Sequence, residues 1–168
     1  AVAVNSGTSA LEISLRSFDV RNKSIIVPTN TFMATPLSVV HAGGRVTFVD
    51  VMKENLSIDP SDLINKISDN TVGVIPVHIG GIISPFWDEI MQICKENNLF
   101  VIEDAAHAHG ASIENQMAGT LGDAAAFSFY PTKVLNTAEG GMITTNNKDI
   151  YKKSLVLREH GKTNHTIN

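Results

Sequence analysis

The sequence predicts a three-layer α/β/α fold built on a mostly parallel central sheet. Two observations carry the prediction. Segments with strand-like apolar character alternate with segments of helical spacing along nearly the whole chain, the rhythm of βα units stacking helices on both faces of a sheet. The second is residues 71–77, a continuous apolar run of the kind that marks a parallel strand buried on both faces.

Each element has its own local cause. Residues 2–5 open the chain as a strand, and residues 8–18 follow with Ala10, Leu11, Leu15 and Phe18 at helical spacing behind small hydroxyl residues and a glycine. Residues 24–28 are a β-rich strand. The helix at 35–42 stops at Gly43-Gly44, and Val46, Phe48 and Val49 make 45–51 strand-like. Asp59-Pro60-Ser61-Asp62 begins a helix with proline in its first turn, leading through Leu63, Ile64 and Ile67 to the 71–77 strand. Residues 85–97 form the clearest amphipathic helix. It delivers the chain to an apolar strand at 99–102, after which polarity changes abruptly at Glu103-Asp104. Short strands at 124–128 and 141–145 flank a loop at 130–140, and a last helix spans 148 to about 158. No repeat, linker or low-complexity tract interrupts this order. The chain opens directly on a strand without an initiator methionine, which makes residues 1–168 read as a fragment of one domain.

Bulk properties narrow the function classes. With 43% hydrophobic and 18% charged residues, the chain is a globular domain able to bury a core. Seventeen acidic residues against thirteen basic ones give a net charge of −4, with no basic stripe to meet nucleic acid or an anionic membrane. No apolar stretch is long enough to cross a bilayer, and the first residues lack a secretory signal's basic start. The single cysteine, Cys94, excludes an internal disulfide and sits at core spacing with Ile90 and Met91. A reducing, cytoplasmic setting is expected.

In a sheet of this kind ligands gather at the carboxyl ends of the strands, and Asn5, Asp104 and Ser128 all fall there. Ser6-Gly7-Thr8-Ser9 joins a strand to a helix, so its N–H groups and hydroxyls suit an anion at the positive end of a helix dipole. An ordinary N-cap with a glycine for tight packing explains it equally well. Neither the dinucleotide glycine pattern nor the Walker lysine arrangement is present, which leaves a phosphate carried by some other cofactor.

The densest ionisable stretch is Glu103-Asp104-Ala105-Ala106-His107-Ala108-His109. Strand alternation turns the two acids to opposite faces, so they do not make a cooperating acid–base pair and one of them faces the site. His107 and His109 beside Asp104 suggest a metal, but nothing else in the chain has matching ligand spacing, and no metal is expected. Lys133 follows Phe127-Ser128-Phe129-Tyr130-Pro131-Thr132, whose aromatics would shed water around the amine and favour its neutral, nucleophilic form. A lysine nucleophile with a distant carboxylate is what pyridoxal 5′-phosphate requires of a protein: an amine for the aldehyde and an acid for the pyridine nitrogen. Phe32 follows another strand end, where it either stacks on a cofactor ring or serves the core.

Taken in order, Asn5-Ser6-Gly7-Thr8-Ser9-Ala10-Leu11, Pro28-Thr29-Asn30-Thr31-Phe32-Met33-Ala34-Thr35, Glu103-Asp104-Ala105-Ala106-His107-Ala108 and Phe127-Ser128-Phe129-Tyr130-Pro131-Thr132-Lys133, followed by Glu139-Gly140-Gly141, resemble the DegT/DnrJ/StrS family of sugar aminotransferases. The resemblance implies the large domain of fold type I pyridoxal-phosphate transferases, here without its N-terminal lead-in and C-terminal small domain. It also implies amino transfer to a keto group of a nucleotide-activated sugar, with glutamate as amino donor and a homodimer as the working unit. By position, Lys133 would bind the cofactor aldehyde and carry protons, Asp104 would pair with the pyridine nitrogen, and His107 would approach the ring hydroxyl. Phe32 would stack on the ring, and Gly7, Thr8 and Ser128 would hold the phosphate. Alternatives within the resemblance are a pyridoxal-phosphate sugar dehydratase, another fold type I enzyme, or a truncated non-catalytic homologue. Family dehydratases replace the aldehyde-binding lysine by histidine, and Lys133 favours amino transfer. After Pro76-Val77-His78 the chain departs from the family pattern, reading Ile79-Gly80-Gly81 where an aromatic residue is usual.

Overall fold

Strand and helix alternate as the apolar pattern dictates. A computed structural model describes residues 1–163. In chain order the elements are β1 (Val2–Val4), α1 (Gly7–Ser17), β2 (Ser24–Pro28), α2 (Ala34–His41), β3 (Arg45–Val49), α3 (Pro60–Lys66), β4 (Thr71–Val74), α4 (Trp87–Glu96), β5 (Phe100–Asp104), β6 (Ser112–Ile113), β7 (Gln116–Met117), β8 (Ala124–Ser128), β9 (Gly141–Thr144) and α5 (Lys148–Arg158). Seven strands form one sheet in the order β1-β9-β8-β5-β4-β2-β3. Pairing is parallel from β8 to β3, and β9 runs antiparallel to both β8 and β1. Two reversals leave β1 pointing the same way as β8, so its carboxyl end opens on the same edge of the sheet.

Each face of the sheet buries its own core. On one side Leu11, Leu15, Val39 and Ile150 of α1, α2 and α5 pack against Ile25, Val27, Ile102 and Ala126. On the other, Leu63 of α3 and Trp87, Ile90 and Ile93 of α4 pack against Ile26, Val74 and Val101. Alternate residues of the central strands serve alternate cores, as a period of two requires. The starts of α1 and α3 follow their capping chemistry. The Ser6 hydroxyl accepts from the Ser9 N–H at 3.1 Å, and Asp59 caps α3 ahead of Pro60.

Three details of the strands bear on the site, the first and the last of them departures from the sequence expectation. Strand β4 ends at Val74, short of residue 77, because Pro76 has no N–H to continue a ladder; Val77 returns only as an isolated bridge to Asp104. Strand β5 runs on through Glu103 and Asp104, so both carboxylates are held by sheet geometry. A small β6–β7 hairpin also forms, turning through Glu114 and Asn115 with φ of 47° and 64°. The predicted architecture otherwise stands: three layers, a mostly parallel sheet and helices on both faces.

Candidate active site

Along the carboxyl edge of the sheet lies a cleft of about 500 Å³. It receives Gly7, Thr8, Phe32, Asp104, His107, Ser128 and Lys133, every residue singled out from the sequence as a site candidate. They arrive from the start of α1, the β2–α2 connection, the end of β5 and its following turn, the end of β8, and the loop after it. Strands delivering short loops to one edge explain how residues more than a hundred positions apart meet.

The anion corner is set by a close approach. A Cβ added to Gly7 would stand 2.8 Å from the Ser128 Cβ, so only glycine lets the first turn of α1 rest against the end of β8. This contact puts the exposed N–H end of α1 beside the Thr8 and Ser128 side chains, a combination suited to a phosphate. Ser128 is buried, and its hydroxyl accepts from the Tyr130 N–H at 3.4 Å.

The acid end is more tightly specified. Asp104 accepts the Thr35 hydroxyl proton on Oδ2 at 2.7 Å and the Ala106 N–H on Oδ1 at 3.2 Å. Its own backbone is clamped, with its N–H donating to the Pro76 carbonyl and its carbonyl accepting from His78. Glu103, one residue earlier, points through the opposite face and never reaches the cleft. It takes the N–H groups of Gly119, Leu121 and Gly122 and the His78 Nε2 within 2.7–3.0 Å. Burial alone would raise its carboxyl pKa, but His78 and the N–H groups of Gly119 and Gly122 outweigh burial and hold it below the ordinary value.

The amine end balances two opposing influences. Burial pushes the Lys133 ammonium below its ordinary pKa, while the negative charge of Asp104 pulls it back up. Burial and the nearby Lys133 charge hold His107 low as well, against Asp104. The His107 Nδ1 accepts the Gly80 N–H at 3.3 Å, which leaves Nε2 as the nitrogen free to donate. Gly80 supplies that donor from a left-handed conformation, φ 59°.

Not every expectation about the surroundings holds. Phe127 and Phe129 do not line the cleft around Lys133; with Ser128 and Tyr130 turned toward it, strand alternation sends them to the other side, where both pack on the His109 ring. Tyr130 alone of these aromatics borders the amine's cleft. Phe32 is no core residue but 78% exposed at the mouth. His107 and His109 diverge, and no three potential metal ligands gather among the described residues. The sequence reading missed Thr31, Thr35 and His78. They lie within stretches quoted for the family resemblance, but nothing local assigns them a role, and the carboxylates that Thr35 and His78 meet lie 69 and 25 positions further along the chain.

A lysine and a carboxylate thus line one cleft beside a helix N-terminus, at the carboxyl edge of a mostly parallel α/β sheet. The chain belongs to the DegT/DnrJ/EryC1/StrS aminotransferase family, which it matches over residues 1–168. It is 39% identical to GDP-perosamine synthase of Caulobacter vibrioides, over 96% of this chain and 43% of that protein. Its fold superposes on the aminotransferase from Psychrobacter cryohalolentis with a TM-score of 0.93 at 36% identity, covering 96% of this chain and 41% of the other. A sugar aminotransferase of Streptococcus pneumoniae in its PLP form, itself described as putative, matches at 0.88 and 31% identity, over 95% and 46% of the two chains. The chain thus spans less than half the length of these relatives.

Proposed function

We propose that residues 1–168 belong to the cofactor-binding large domain of a pyridoxal-phosphate aminotransferase acting on a keto group of a nucleotide-activated sugar, with glutamate as amino donor. The observation that carries the proposal is the shared cleft of Lys133 and Asp104, closed at one corner by the Gly7–Ser128 contact. Bound there, the cofactor would supply an aldehyde carbon for amines and a ring able to withdraw electrons. The residues fit it. Gly7, Thr8 and Ser128 would bind the phosphate, Asp104 would accept from the pyridine nitrogen, His107 would donate to the ring hydroxyl through Nε2, and Phe32 would cover the ring.

Lys133 would hold the aldehyde carbon until a substrate amine displaces it, then carry a proton on Nζ. Its depressed basicity serves that exchange, because a neutral amine both attacks and accepts protons. The name of the Caulobacter relative, a synthase of a GDP-linked amino sugar, supports the substrate class. Phe32, Met33, Val134 and Leu135 are exposed apolar side chains, consistent with a second subunit completing the site in a homodimer. A cytoplasmic enzyme free of membrane and nucleic acid agrees with the chain's acidity and single cysteine, and no helix among the described residues is long and apolar enough to cross a membrane.

The test is spectroscopic. Full-length protein with the cofactor should show the visible absorbance of a lysine-bound chromophore, lose it in Lys133→Ala, and lose it reversibly when glutamate is added to the wild type. A mutant spectrum identical to wild type overturns the assignment of Lys133. Indifference to glutamate overturns the donor.

A further inference from the structure

Thr35 is fully buried at 0% exposure, although it opens a helix whose neighbouring residues Phe32 and Met33 are exposed. A buried hydroxyl at that position needs a partner, and it has two. Its Oγ1 lies 2.7 Å from Asp104 Oδ2 and 2.7 Å from Thr31 Oγ1. A hydroxyl has one proton and a carboxylate oxygen only accepts, so the Thr35 proton goes to Asp104. Thr31 must then donate to Thr35. The result is a directed relay, Thr31 to Thr35 to Asp104, in which each bond polarises the next.

The relay joins two parts of the cleft that the backbone leaves separate. Thr31 immediately precedes Phe32, and the Thr35 N–H donates to the Phe32 carbonyl at 3.0 Å, so the turn that presents the aromatic ring is tied to the side chain of the acid. Oδ1 is engaged from the other direction by Ala106. Fixed at both oxygens, the carboxylate cannot rotate about its last bond without giving up a hydrogen bond.

We propose that Thr35, backed by Thr31, is a positioning residue that orients the Asp104 carboxylate toward the cofactor's ring nitrogen and locks that orientation to the Phe32 turn. The inference rests on the reading that Asp104 meets that nitrogen, and its test separates the two. Full-length wild type, Thr35→Val, Thr35→Ser and Asp104→Asn are titrated with pyridoxal 5′-phosphate and with its 1-deaza analogue, which has a carbon in place of the ring nitrogen. Thr35→Val keeps the shape and removes the donor. It should weaken binding of the natural cofactor about tenfold and leave the analogue unaffected, the scale expected for a hydrogen bond to a charged group, and Thr35→Ser should restore it. Equal loss for both compounds, or no loss for either, overturns the relay while Asp104→Asn still discriminates between them. An Asp104→Asn variant that treats the two alike overturns the underlying reading instead. If Thr35→Val does not fold, Thr31→Val, at a half-buried loop position, carries the test: a selective loss of about threefold supports the relay, and unchanged affinities overturn it.

Discussion

Glu103 and Asp104 are consecutive carboxylates on one strand, and their fates are opposite. Burial hardly separates them, at 0% and 6% exposure. Saturation does. A carboxylate offers about four acceptor positions, and Glu103 fills them with the N–H groups of Gly119, Leu121 and Gly122 and the imidazole of His78. Among the described residues, Asp104 receives only the Thr35 hydroxyl and the Ala106 N–H on its side chain, and it lines the cleft. A structural acid and a chemically available one are therefore told apart by unfilled acceptor positions and not by depth. The strand's period of two makes that division possible at adjacent residues.

The largest effect that would break this comparison is on activity. Asp104→Asn in the full-length protein should lower turnover by about 10²-fold or more, the range for losing a charge aimed at the reacting group, with unfolding free energy changed by only about 1 kcal/mol. A loss of several kcal/mol in unfolding free energy, with full turnover per folded molecule, would reverse the roles of the two acids. Glu103→Gln should do the opposite. It sets an amide against N–H donors and abandons the His78 contact, so denaturant titration should show about 3 kcal/mol of lost stability, with turnover per folded molecule retained. An unchanged unfolding midpoint would sink the claim that Glu103 holds the strand end.

A gentler version uses acid. Because the folded-state pKa of Glu103 is depressed, its contribution to stability is complete above the ordinary glutamate value of 4.5 and is lost as pH falls below that through the folded-state value. Wild type should therefore lose more stability than Glu103→Gln between about pH 5 and pH 3, read from melting temperatures in matched buffers; parallel curves would contradict the assignment. The smallest effect concerns the cleft side. His107 should titrate below its ordinary value of 6.5, and Lys133→Ala should move it upward by removing a neighbouring positive charge. Proton NMR of the imidazole in the cofactor-free protein follows both.

Much of this was legible in the sequence because it is local. Alternating strand and helix periodicity gave the layers, and Ser6, Asp59 and Pro60 marked helix starts by capping chemistry. The adjacency of Glu103 and Asp104 on a strand was enough to send them to opposite faces. What stayed hidden depends on distant partners or weak signals. Thr35 acquires its meaning from a residue 69 positions away, and His78 from one 25 positions away. The β6–β7 hairpin turns through Glu114-Asn115, where glutamate replaces the usual turn-forming residue and each strand has only two residues. The aromatics before Lys133 were expected to dry its surroundings, but the pleat that turns Ser128 toward the cleft turns Phe127 and Phe129 away.

Strand β1 pairs with β9, far along the chain: Val2, Ala3 and Val4 sit opposite Ile143, Met142 and Gly141. The turn following β1 therefore has no fixed place until the polypeptide has been made and folded through residue 144. Such long-range closure is slow compared with local helix formation. During synthesis the corner of the cleft at Gly7 would take its place only once residues 2–4 and 141–144 have met.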